Sequence, residues 1–250
     1  MSLSEQQVIE RLHPRPVRYF SQVGSTNDVA LEWMTQSAVN GSIVVADEQI
    51  NGKGRLGRIW HTPADTALIV SVILHPGVED LPQITMLGSL AICDMVRHLG
   101  IERVGVKWPN DVMLNGLKVS GILPEAVWEN GKLVGVVLGM GINVRIDFSK
   151  TELASKATSI EPILGRKIDR LELLADLMAC VDYWFARLGS VELFETWRNR
   201  LMTLGQNVQV NSIDNTVIGS AADVDRDGAL LVRRDDGHIE RVIAGDIALG

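Results

Sequence analysis

The sequence predicts an α+β fold in which an antiparallel or mixed sheet is flanked by helices. One observation is a succession of strand-length apolar runs, at 103–107, 111–114, 117–127 and 132–138. A second is the pair of Asn-Gly dipeptides, Asn115-Gly116 and Asn130-Gly131, which separate these runs and favour tight hairpin turns. A third is helical patterning outside the strand cluster, so we expect helices to one side of the sheet rather than a doubly wound arrangement.

The first third of the chain is expected to contribute a lead-in, two helices and two strands. Residues 1–22 are expected to form a short lead-in because Pro14 and Pro16 interrupt any helix. Ser25 or Thr26 can cap the helix that follows, since a hydroxyl accepts a hydrogen bond from a free amide at a helix start. The elements expected from there are a helix to about residue 37, strands at about 42–47 and 66–74, and a helix at 81–99.

The last third changes character at Gly205. Before it, apolar residues recur at helical spacing and predict helices at about 169–188 and 190–203. After it, turn residues alternate with short predicted strands, as in a small β-barrel, at about 206–211, 216–223, 229–234 and 239–243. We therefore divide the chain into an N-terminal domain, residues 1–203, and a C-terminal domain, residues 204–250.

Composition limits the classes of function. A chain of 250 residues, 46% of them hydrophobic, can bury a sizeable core. Its net charge of −7 argues against non-specific nucleic-acid binding. Neither a signal peptide nor an apolar run of membrane length is evident. Cys93 and Cys180 lie in apolar helical patterns without a Cys-x-x-Cys pair, so we expect buried thiols in a reducing, cytoplasmic compartment.

Residues 51–58 are the most informative segment. They place three glycines and three cations, Lys53, Arg55 and Arg58, within eight residues of an acidic protein. Glycine permits sharp turns and close approach to a ligand, and the cations donate to oxyanions. The pattern predicts a mobile loop that closes over a phosphate or a carboxylate. A solvated basic loop without a ligand is the alternative.

Three competing motifs fail on their context. Residues 52–57 spell G-x-G-x-x-G, but a proline-containing segment and a strand follow where a dinucleotide-binding fold needs a helix. The Walker A pattern lacks its Gly-Lys-Ser/Thr. Residues 223–228 open like a calcium loop, yet Arg234 stands where the bidentate Glu belongs, which favours a hairpin turn at Asp227-Gly228. No zinc site is predicted, because no metal-ligand spacing relates the histidines at 13, 61, 75, 98 and 238.

Five motifs, in their order and separations, resemble those of the biotin protein ligases. They are Gly24-Ser25-Thr26-Asn27, the loop 51–58, Lys107-Trp108-Pro109-Asn110-Asp111, Lys118-Val119-Ser120-Gly121-Ile122-Leu123 and Leu138-Gly139-Met140-Gly141-Ile142-Asn143. The resemblance runs from about Val23 to the C-terminus. It implies a class II synthetase-like catalytic fold, an SH3-like C-terminal barrel and a short form that lacks an N-terminal DNA-binding domain.

The resemblance implies a two-step reaction. The carboxylate of biotin attacks the α-phosphate of MgATP, which gives biotinyl-5′-AMP and pyrophosphate. A lysine of a biotin carboxyl carrier protein, from acetyl-CoA carboxylase or a related carboxylase, then attacks the mixed anhydride and releases AMP. The cofactors and substrates implied are therefore ATP, Mg²⁺ and biotin. No DNA or membrane partner is implied, and a homodimer is left open.

The resemblance also assigns roles to residues. Lys118, Arg55 and Asp111 are the implied catalytic groups, with Lys118 between the biotin carboxylate and the α-phosphate and Asp111 beside the acceptor lysine. Biotin contacts are implied for Ser25, Thr26, Asn27, Gln49, Gly52, Arg55, Lys118 and Gly121. With Mg²⁺ near Asn110 and Asp111, nucleotide contacts are implied for Lys53, Arg55, Arg58, Trp60, Asn110, Lys118 and Asn143.

Purely structural roles are the alternative for several of these residues. They are helix capping for Ser25 and Thr26, core packing for Trp60, an exposed hairpin position for Lys118 and a turn for Asn110-Asp111. Two residues depart from the family pattern. Lys53 replaces an arginine, which keeps the charge but loses the planar fork, and Pro124 follows Gly-Ile-Leu. Residues 156–160 resemble a further segment near the nucleotide.

Three other functions share parts of this pattern. Lipoate ligases would show an Arg-Arg-x-x-Gly-Gly-Gly run and a small residue after Lys-x-x-Gly, where this chain has Ile122. A ligase that also represses transcription needs a helix-turn-helix domain, for which the roughly 24 residues before Ser25 are too few. A biotin-binding module without activity needs no cations that face phosphate.

Overall fold

A seven-stranded mixed sheet is the largest element of the fold. The computed structural model of the protein describes residues 3–60, 62–212 and 215–249. The sheet has the order β1-β2-β3-β7-β6-β5-β4. Its strands are β1 Val17–Phe20, β2 Ile43–Ala46, β3 Ala67–Leu74, β4 Val104–Lys107, β5 Asp111–Leu114, β6 Leu117–Glu129 and β7 Lys132–Asn143. The helices are α1 Glu5–Leu12, α2 Thr26–Thr35, α3 Ile84–His98, α4 Ile160–Leu164, α5 Arg170–Phe185 and α6 Val191–Asn199.

Helices cover both faces of this sheet, so the expectation of helices on one side is wrong. Strand β3 is buried along its whole length, which requires a layer on each face. One face packs against α3 and α5 in the main core. On the other face, Ala30 and Met34 of α2 pack against Val44, Ile73 and Val137. The α+β class itself is confirmed, since only the β1–β2 pair is parallel among the described strands of this sheet.

The two predicted hairpin turns are confirmed. Asn115 and Gly116 have φ values of 50° and 83°, and Asn130 and Gly131 have φ values of 50° and 75°. Positive φ at both central residues is typical of the tight turns that match the twist of antiparallel strands. Strand β7 continues five residues past the predicted end at 138, through a glycine-rich stretch that weakens strand propensity.

Residues 1–22, expected to be a lead-in without a helix, contain the helix α1 and the strand β1. Ser4 caps α1 by accepting from the amide of Gln7, and Val8 and Leu12 are buried on its inner side. The prolines end this helix rather than prevent it. Strand β1 then pairs in parallel with β2 along its whole length.

The C-terminal part is a five-stranded antiparallel sheet in the order β11-β10-β9-β8-β12. The hairpin turn at Asp227-Gly228 is confirmed, with the Asp225 carboxylate accepting from the Asp227 and Ala229 amides. The first four strands were predicted and the fifth was not; closure into a barrel stays a prediction. The strands are β8 Asn207–Asn211, β9 Thr216–Val224, β10 Leu230–Arg233, β11 Ile239–Val242 and β12 Asp246–Leu249.

One apolar core joins both sheets and the helices between them. Trp108, which precedes β5, is 1% exposed, and its indole donates to the Gly228 carbonyl at 2.8 Å. Cys93 and Cys180 are buried free thiols, as predicted, and burial raises the pKa of each to about 12. Within the described ranges, no helix has both the length and the apolar character that crossing a membrane requires.

Candidate active site

A cavity of about 670 Å³ lies over the middle of the large sheet. This volume is within the range of small-molecule sites. Strands β6 and β7 form its floor, and residues 51–60, which we call the flap, form its roof. Loops around 107–111 and 146–157 and the start of β12 close its sides. Of the fourteen residues predicted for the site, all but Gly52 line this cavity.

The floor is made of glycines because side chains from the flap and from α2 need the space. Gly121 and Gly141 are paired across β6 and β7. A Cβ on Gly141 would lie 2.7 Å from the Trp60 indole, and one on Gly139 would lie 2.3 Å from the Asn27 amide oxygen. Trp60 therefore lies directly against the floor, and its buried Nε1 has no hydrogen-bond partner among the described residues.

Gly52 shapes the flap from behind the cavity. A Cβ there would lie 2.3 Å from the Trp60 carbonyl oxygen, and the Trp60 amide donates to the Gly52 carbonyl at 2.8 Å. This close crossing of two backbone segments explains the glycine, and it places the Trp60 side chain inward. Gly52 thus supports the site without lining it.

Buried hydroxyl and amide groups form a network at one end of the cavity. The Gln49 side-chain oxygen accepts from the Thr26 amide at 2.7 Å and from its hydroxyl at 2.9 Å. Ser71 on β3 lies 2.8 Å from the Thr26 hydroxyl and donates to the Asn27 amide oxygen at 2.6 Å. Ser25 stands at the cap position of α2 but makes no capping bond. Its hydroxyl can therefore serve a ligand.

Ser71 was missed by the sequence analysis. The signal for it is one hydroxyl in the middle of an apolar strand, since Ser71 is fully buried within the run that forms β3. A buried polar side chain in such a run must have a partner. Here its partners are predicted site residues.

Lys118 and Asp111 form an ion pair on the cavity wall. The Lys118 ammonium is 2.6 Å from Asp111 Oδ1 and 5.5 Å from the centre of the Trp60 ring. The backbone of Lys118 is paired with the segment 156–158, accepting from the Thr158 amide at 2.8 Å and donating to the Lys156 carbonyl at 2.9 Å. Lys118 therefore lies in β6 between β5 and the segment 156–158 and is not an exposed hairpin lysine.

The three flap cations all have partners within the protein. Arg55 donates to the Asn110 side-chain oxygen at 2.9 Å and contacts the Gly245 carbonyl at 3.4 Å. Burial lowers the pKa of Arg55, against the opposing effect of nearby Asp246 and Asp111, and the group stays charged at neutral pH. Lys53 pairs with Asp28, and Arg58 pairs with Asp246 of β12.

A buried arginine ties the two ends of the flap segment together. Arg170, at the start of α5, is 2.9 Å from the Asp47 carboxylate and 2.6 Å from the Asp65 carboxylate. Asp47 precedes the flap and Asp65 follows it. The Arg170 side chain is fully buried and its pair with Asp47 is shielded from solvent, whereas the Asp65 side chain is 47% exposed.

The cavity is positively charged although the protein is acidic. Its described lining includes three carboxylates, those of Asp111, Asp147 and Asp246. The same lining includes six cations. Three belong to the flap, Lys53, Arg55 and Arg58, and three lie outside it, Lys107, Lys118 and Lys156. Lys107 and Lys156 belong to the motif segments, but the sequence predicted no role for either residue. Such a concentration of charge inside a low-dielectric cleft attracts anionic ligands.

Asn143 lines the cavity at the end of β7. It is buried, and its side-chain amide donates to the Thr158 carbonyl at 3.1 Å. This bond joins β7 to the segment 156–160. The histidine at position 61 lies outside the described residues.

The predicted magnesium position does not contain a preformed metal site. The Asn110 side-chain oxygen is engaged by Arg55, and Asp111 is engaged by Lys118. Mg²⁺ prefers several oxygen ligands and retains waters, and it is often held by substrate phosphates. These residues therefore fit an ion carried by a nucleotide rather than one bound by the protein alone.

Two segments that together make up most of the chain match known protein families. Residues 19–143 match the family described as "Biotin/lipoate A/B protein ligase family", and residues 203–250 match "Biotin protein ligase C terminal domain". The chain is similar to the "Bifunctional ligase/repressor BirA" of Bacillus spizizenii, with 32% identity over 93% of this chain and 73% of that protein. It is also 31% identical to the "Biotin--[acetyl-CoA-carboxylase] ligase" of Mycobacterium tuberculosis, over 93% of this chain and 88% of that protein.

A solved structure shares the architecture as well. The biotin protein ligase of Aquifex aeolicus, in complex with biotin and ATP, superposes with a TM-score of 0.80 at 26% identity. The match covers 94% of this chain and 98% of that chain.

Proposed function

We infer the activity of this chain from the family to which it belongs, the biotin/lipoate A/B protein ligase family. The chain is a biotin–protein ligase. It activates biotin with ATP to biotinyl-5′-AMP and transfers the biotinyl group to a lysine of a biotin carboxyl carrier protein. The Mycobacterium tuberculosis relative is named as a biotin–[acetyl-CoA-carboxylase] ligase, and the matched Aquifex aeolicus protein was solved with biotin and ATP together.

The Lys118–Asp111 pair beside Arg55 is the observation that most directly supports this chemistry. Two anions, a carboxylate and a triphosphate, must approach each other in the first step. Cations held in a cavity offset that repulsion, and they gain strength where water is excluded. We assign this role to Lys118 and Arg55.

In the first step, a carboxylate oxygen of biotin bonds to the α-phosphorus, and the bond from that phosphorus to pyrophosphate breaks. The charge on the phosphoryl oxygens is greatest between these events. Lys118 is fixed by its backbone pairing and needs little rearrangement to meet that charge. This preorganisation lowers the barrier more than a mobile lysine would.

In the second step, the amine of the acceptor lysine attacks the carbonyl carbon, an amide forms and AMP leaves. A lysine amine is mostly protonated at neutral pH, so a base must take its proton. Asp111 is the carboxylate nearest Lys118 in the cavity, and we assign it to receive or orient that amine.

The two ends of the cavity suit the two substrates. The buried network of Thr26, Asn27 and Gln49, with Ser25 beside it, offers both donors and acceptors, which suits the ureido ring of biotin. Gly121 supplies space for the ring system. Nucleotide contacts are assigned to the opposite end and the flap, namely to Lys53, Arg55, Arg58, Trp60, Asn110 and Asn143.

Several finer assignments stay predictions. Mg²⁺ is proposed to arrive with ATP and to supply further charge neutralisation there. The acceptor is proposed to be the carrier domain of acetyl-CoA carboxylase or a related carboxylase. The 203/204 domain boundary, barrel closure, cytoplasmic location, a homodimer and the absence of a DNA partner are likewise predictions.

Biotinyl-AMP formation tests the function and the role of Lys118 together. With MgATP and biotin, we expect biotinyl-AMP by mass spectrometry from the wild type. Lys118→Ala should lower its rate by at least about 100-fold, the effect of removing one preorganised donor. Lys132→Ala, at an exposed lysine on the β6–β7 hairpin, is the matched control and should keep the wild-type rate.

Different outcomes reject different parts of this proposal. Normal adenylate formation by a folded Lys118→Ala variant would remove Lys118 from the mechanism while leaving the activity in place. Activation of lipoate but not biotin would overturn the substrate.

A further inference from the structure

A second cluster of ligand-type side chains lies far from the cavity, where the end of α3 meets α5. His98 is the last residue of α3, and Asp176 and Cys180 are one turn apart on α5. His98 Nδ1 is 3.0 and 3.1 Å from the two Asp176 carboxylate oxygens, and Cys180 Sγ is 4.0 Å from Asp176 Oδ1. The three donor atoms lie within 4.8 Å of one another.

We propose that His98, Asp176 and Cys180 bind a zinc-type transition-metal ion. One imidazole, one carboxylate and one thiolate are the ligand types that Zn²⁺ takes, whereas Mg²⁺ and Ca²⁺ take oxygen ligands. Bonds of about 2.0–2.3 Å place two ligands of a tetrahedral ion about 3.3–3.8 Å apart. The His98–Asp176 and Cys180–Asp176 separations of 3.0 and 4.0 Å bracket this range, and the His98–Cys180 separation is at most 4.8 Å, so side-chain movements of about 1 Å are enough.

The surroundings favour a cation at this position. The α3 carbonyls that end at His98 carry the negative end of the helix dipole. Cys180 is buried, whereas the Asp176 and His98 side chains are 33% and 59% exposed. The cluster therefore has a solvent side from which an ion can enter and on which water can complete the coordination.

Neighbouring charges leave the three ligands available. Asp94, one turn before His98, is occupied by the Trp184 indole at 2.8 Å and by Arg200 at 2.7 Å. The Asp94–Arg200 pair is internally neutralised, so Asp94 does not compete for the ion. On binding, the Cys180 S–H bond breaks, a sulfur–metal bond forms and one proton is released to solvent.

No metal-ligand spacing of histidines predicts such a site, because its ligands come from two helices. The only local signal is Asp176-x-x-x-Cys180, which places both side chains on one face of α5. This proposal departs from the prediction that the chain has no zinc site.

Cobalt substitution tests the proposal directly. Titrating Co²⁺ into the full chain should produce a thiolate-to-cobalt absorption band that saturates at one equivalent and is abolished by Zn²⁺ but not by Mg²⁺. Cys180→Ser should remove the band, whereas Cys93→Ser, at the other buried thiol, should keep it. His98→Ala changes an exposed side chain and should weaken Co²⁺ binding at least tenfold, with His75→Ala as its control.

Adenylate formation should be unchanged in the Cys180→Ser and His98→Ala variants, because the cluster is remote from the cavity. No band in the wild type, a band that persists in Cys180→Ser, or full displacement by Mg²⁺ would each overturn the site. Should Cys180→Ser fail to fold, the His98→Ala titration decides alone.

Discussion

At the scale of single residues, the floor of the cavity depends on what glycine lacks. Gly121 and Gly141 are paired, yet they leave different amounts of space. A Cβ on Gly141 would come within 2.7 Å of the Trp60 ring, whereas one on Gly121 would come only within 3.3 Å of it. The same methyl group should therefore have unequal effects at the two positions.

We predict that Gly141→Ala displaces Trp60 and raises the KM for biotin or ATP by about tenfold or more, with a smaller effect for Gly121→Ala. A contact of 2.7 Å forces the ring to move, whereas 3.3 Å can be relieved by small shifts. Steady-state kinetics of adenylate formation and Trp fluorescence measure the two effects. Equal KM values for the two variants would contradict this account.

Residue identities could be predicted where a motif carried them, and the structure brings thirteen of these positions to one cavity. Ser71 could not be found in this way, because its partners are 44 and 45 residues away and its own segment is only a buried strand. Gly52 was predicted to contact biotin from the loop. Its backbone crossing with Trp60 is a tertiary contact, which the sequence pattern does not predict.

At the scale of elements, the flap is a loop whose two ends are held by one helix. Arg170 of α5 joins Asp47 to Asp65, so the flap's position depends on an element more than a hundred residues away. Removing one partner of a buried ion pair leaves an uncompensated charge.

We predict that Arg170→Met lowers the free energy of unfolding by roughly 3–5 kcal/mol. Because the flap ends lose their common anchor, proteolytic cleavage within residues 51–60 should also accelerate. Urea unfolding and limited proteolysis measure these effects. A second change, Asp47→Asn, should recover part of the stability in the double variant, and additive losses would argue against direct coupling.

The segment before α5 supplies a pH-dependent contribution. Burial tends to raise the pKa of Glu161, but hydrogen bonds from Arg145 and from the Ile168 amide outweigh it and lower the pKa below its usual 4.5. A carboxylate whose pKa is lowered in the folded state stabilises the protein at pH values above its unfolded-state pKa. This stabilisation is lost as the pH falls through the folded-state pKa.

We therefore predict that Glu161→Gln costs roughly 1.5–3 kcal/mol of stability at pH 7, the contribution of hydrogen bonds to a charged group. The difference from wild type should shrink as the pH falls below about 4.5. Urea unfolding across this pH range measures it. Glu152→Gln, at an exposed position, should show no such trend.

Element types could be predicted wherever periodicity was long, as for α3, α5 and the hairpin strands. Short elements were missed for physical reasons. The five residues of α4 and the four of β12 are too few for a period to emerge, and tertiary contacts stabilise them instead. Strand β1 is also short, since it follows Pro16 directly and ends before α2. Pairing with β2 stabilises it.

At the scale of the whole molecule, the two sheets share one core. The indole of Trp108 beside the active site has its partner, the Gly228 carbonyl, in the C-terminal sheet. Sequence patterning divides the chain near residue 203, but it contains no information on how the two parts pack. That contact could be learned only from the structure.

We predict that a fragment of residues 1–203 is less stable than the full chain. In the fragment, the shared core loses its C-terminal residues and Trp108 loses the Gly228 acceptor, a hydrogen bond that contributes roughly 0.5–1.5 kcal/mol. The loss of that hydrogen bond alone lowers Tm by about 1–6 °C in a protein of this size. Circular dichroism of both proteins measures the shift, and an unchanged Tm would show that the N-terminal part is independent.

Asp246→Asn in the full chain should release Arg58 with little change in Tm.

The ion pairs of the flap have one more consequence. Asp28, Asn110, Gly245 and Asp246 already occupy its cations. A phosphate that binds Lys53 or Arg58 competes with a carboxylate already held there, Asp28 or Asp246, so binding at these two cations includes an exchange of one anion for another. Because Asp246 begins β12, this exchange at Arg58 removes one contact between the flap and the C-terminal sheet.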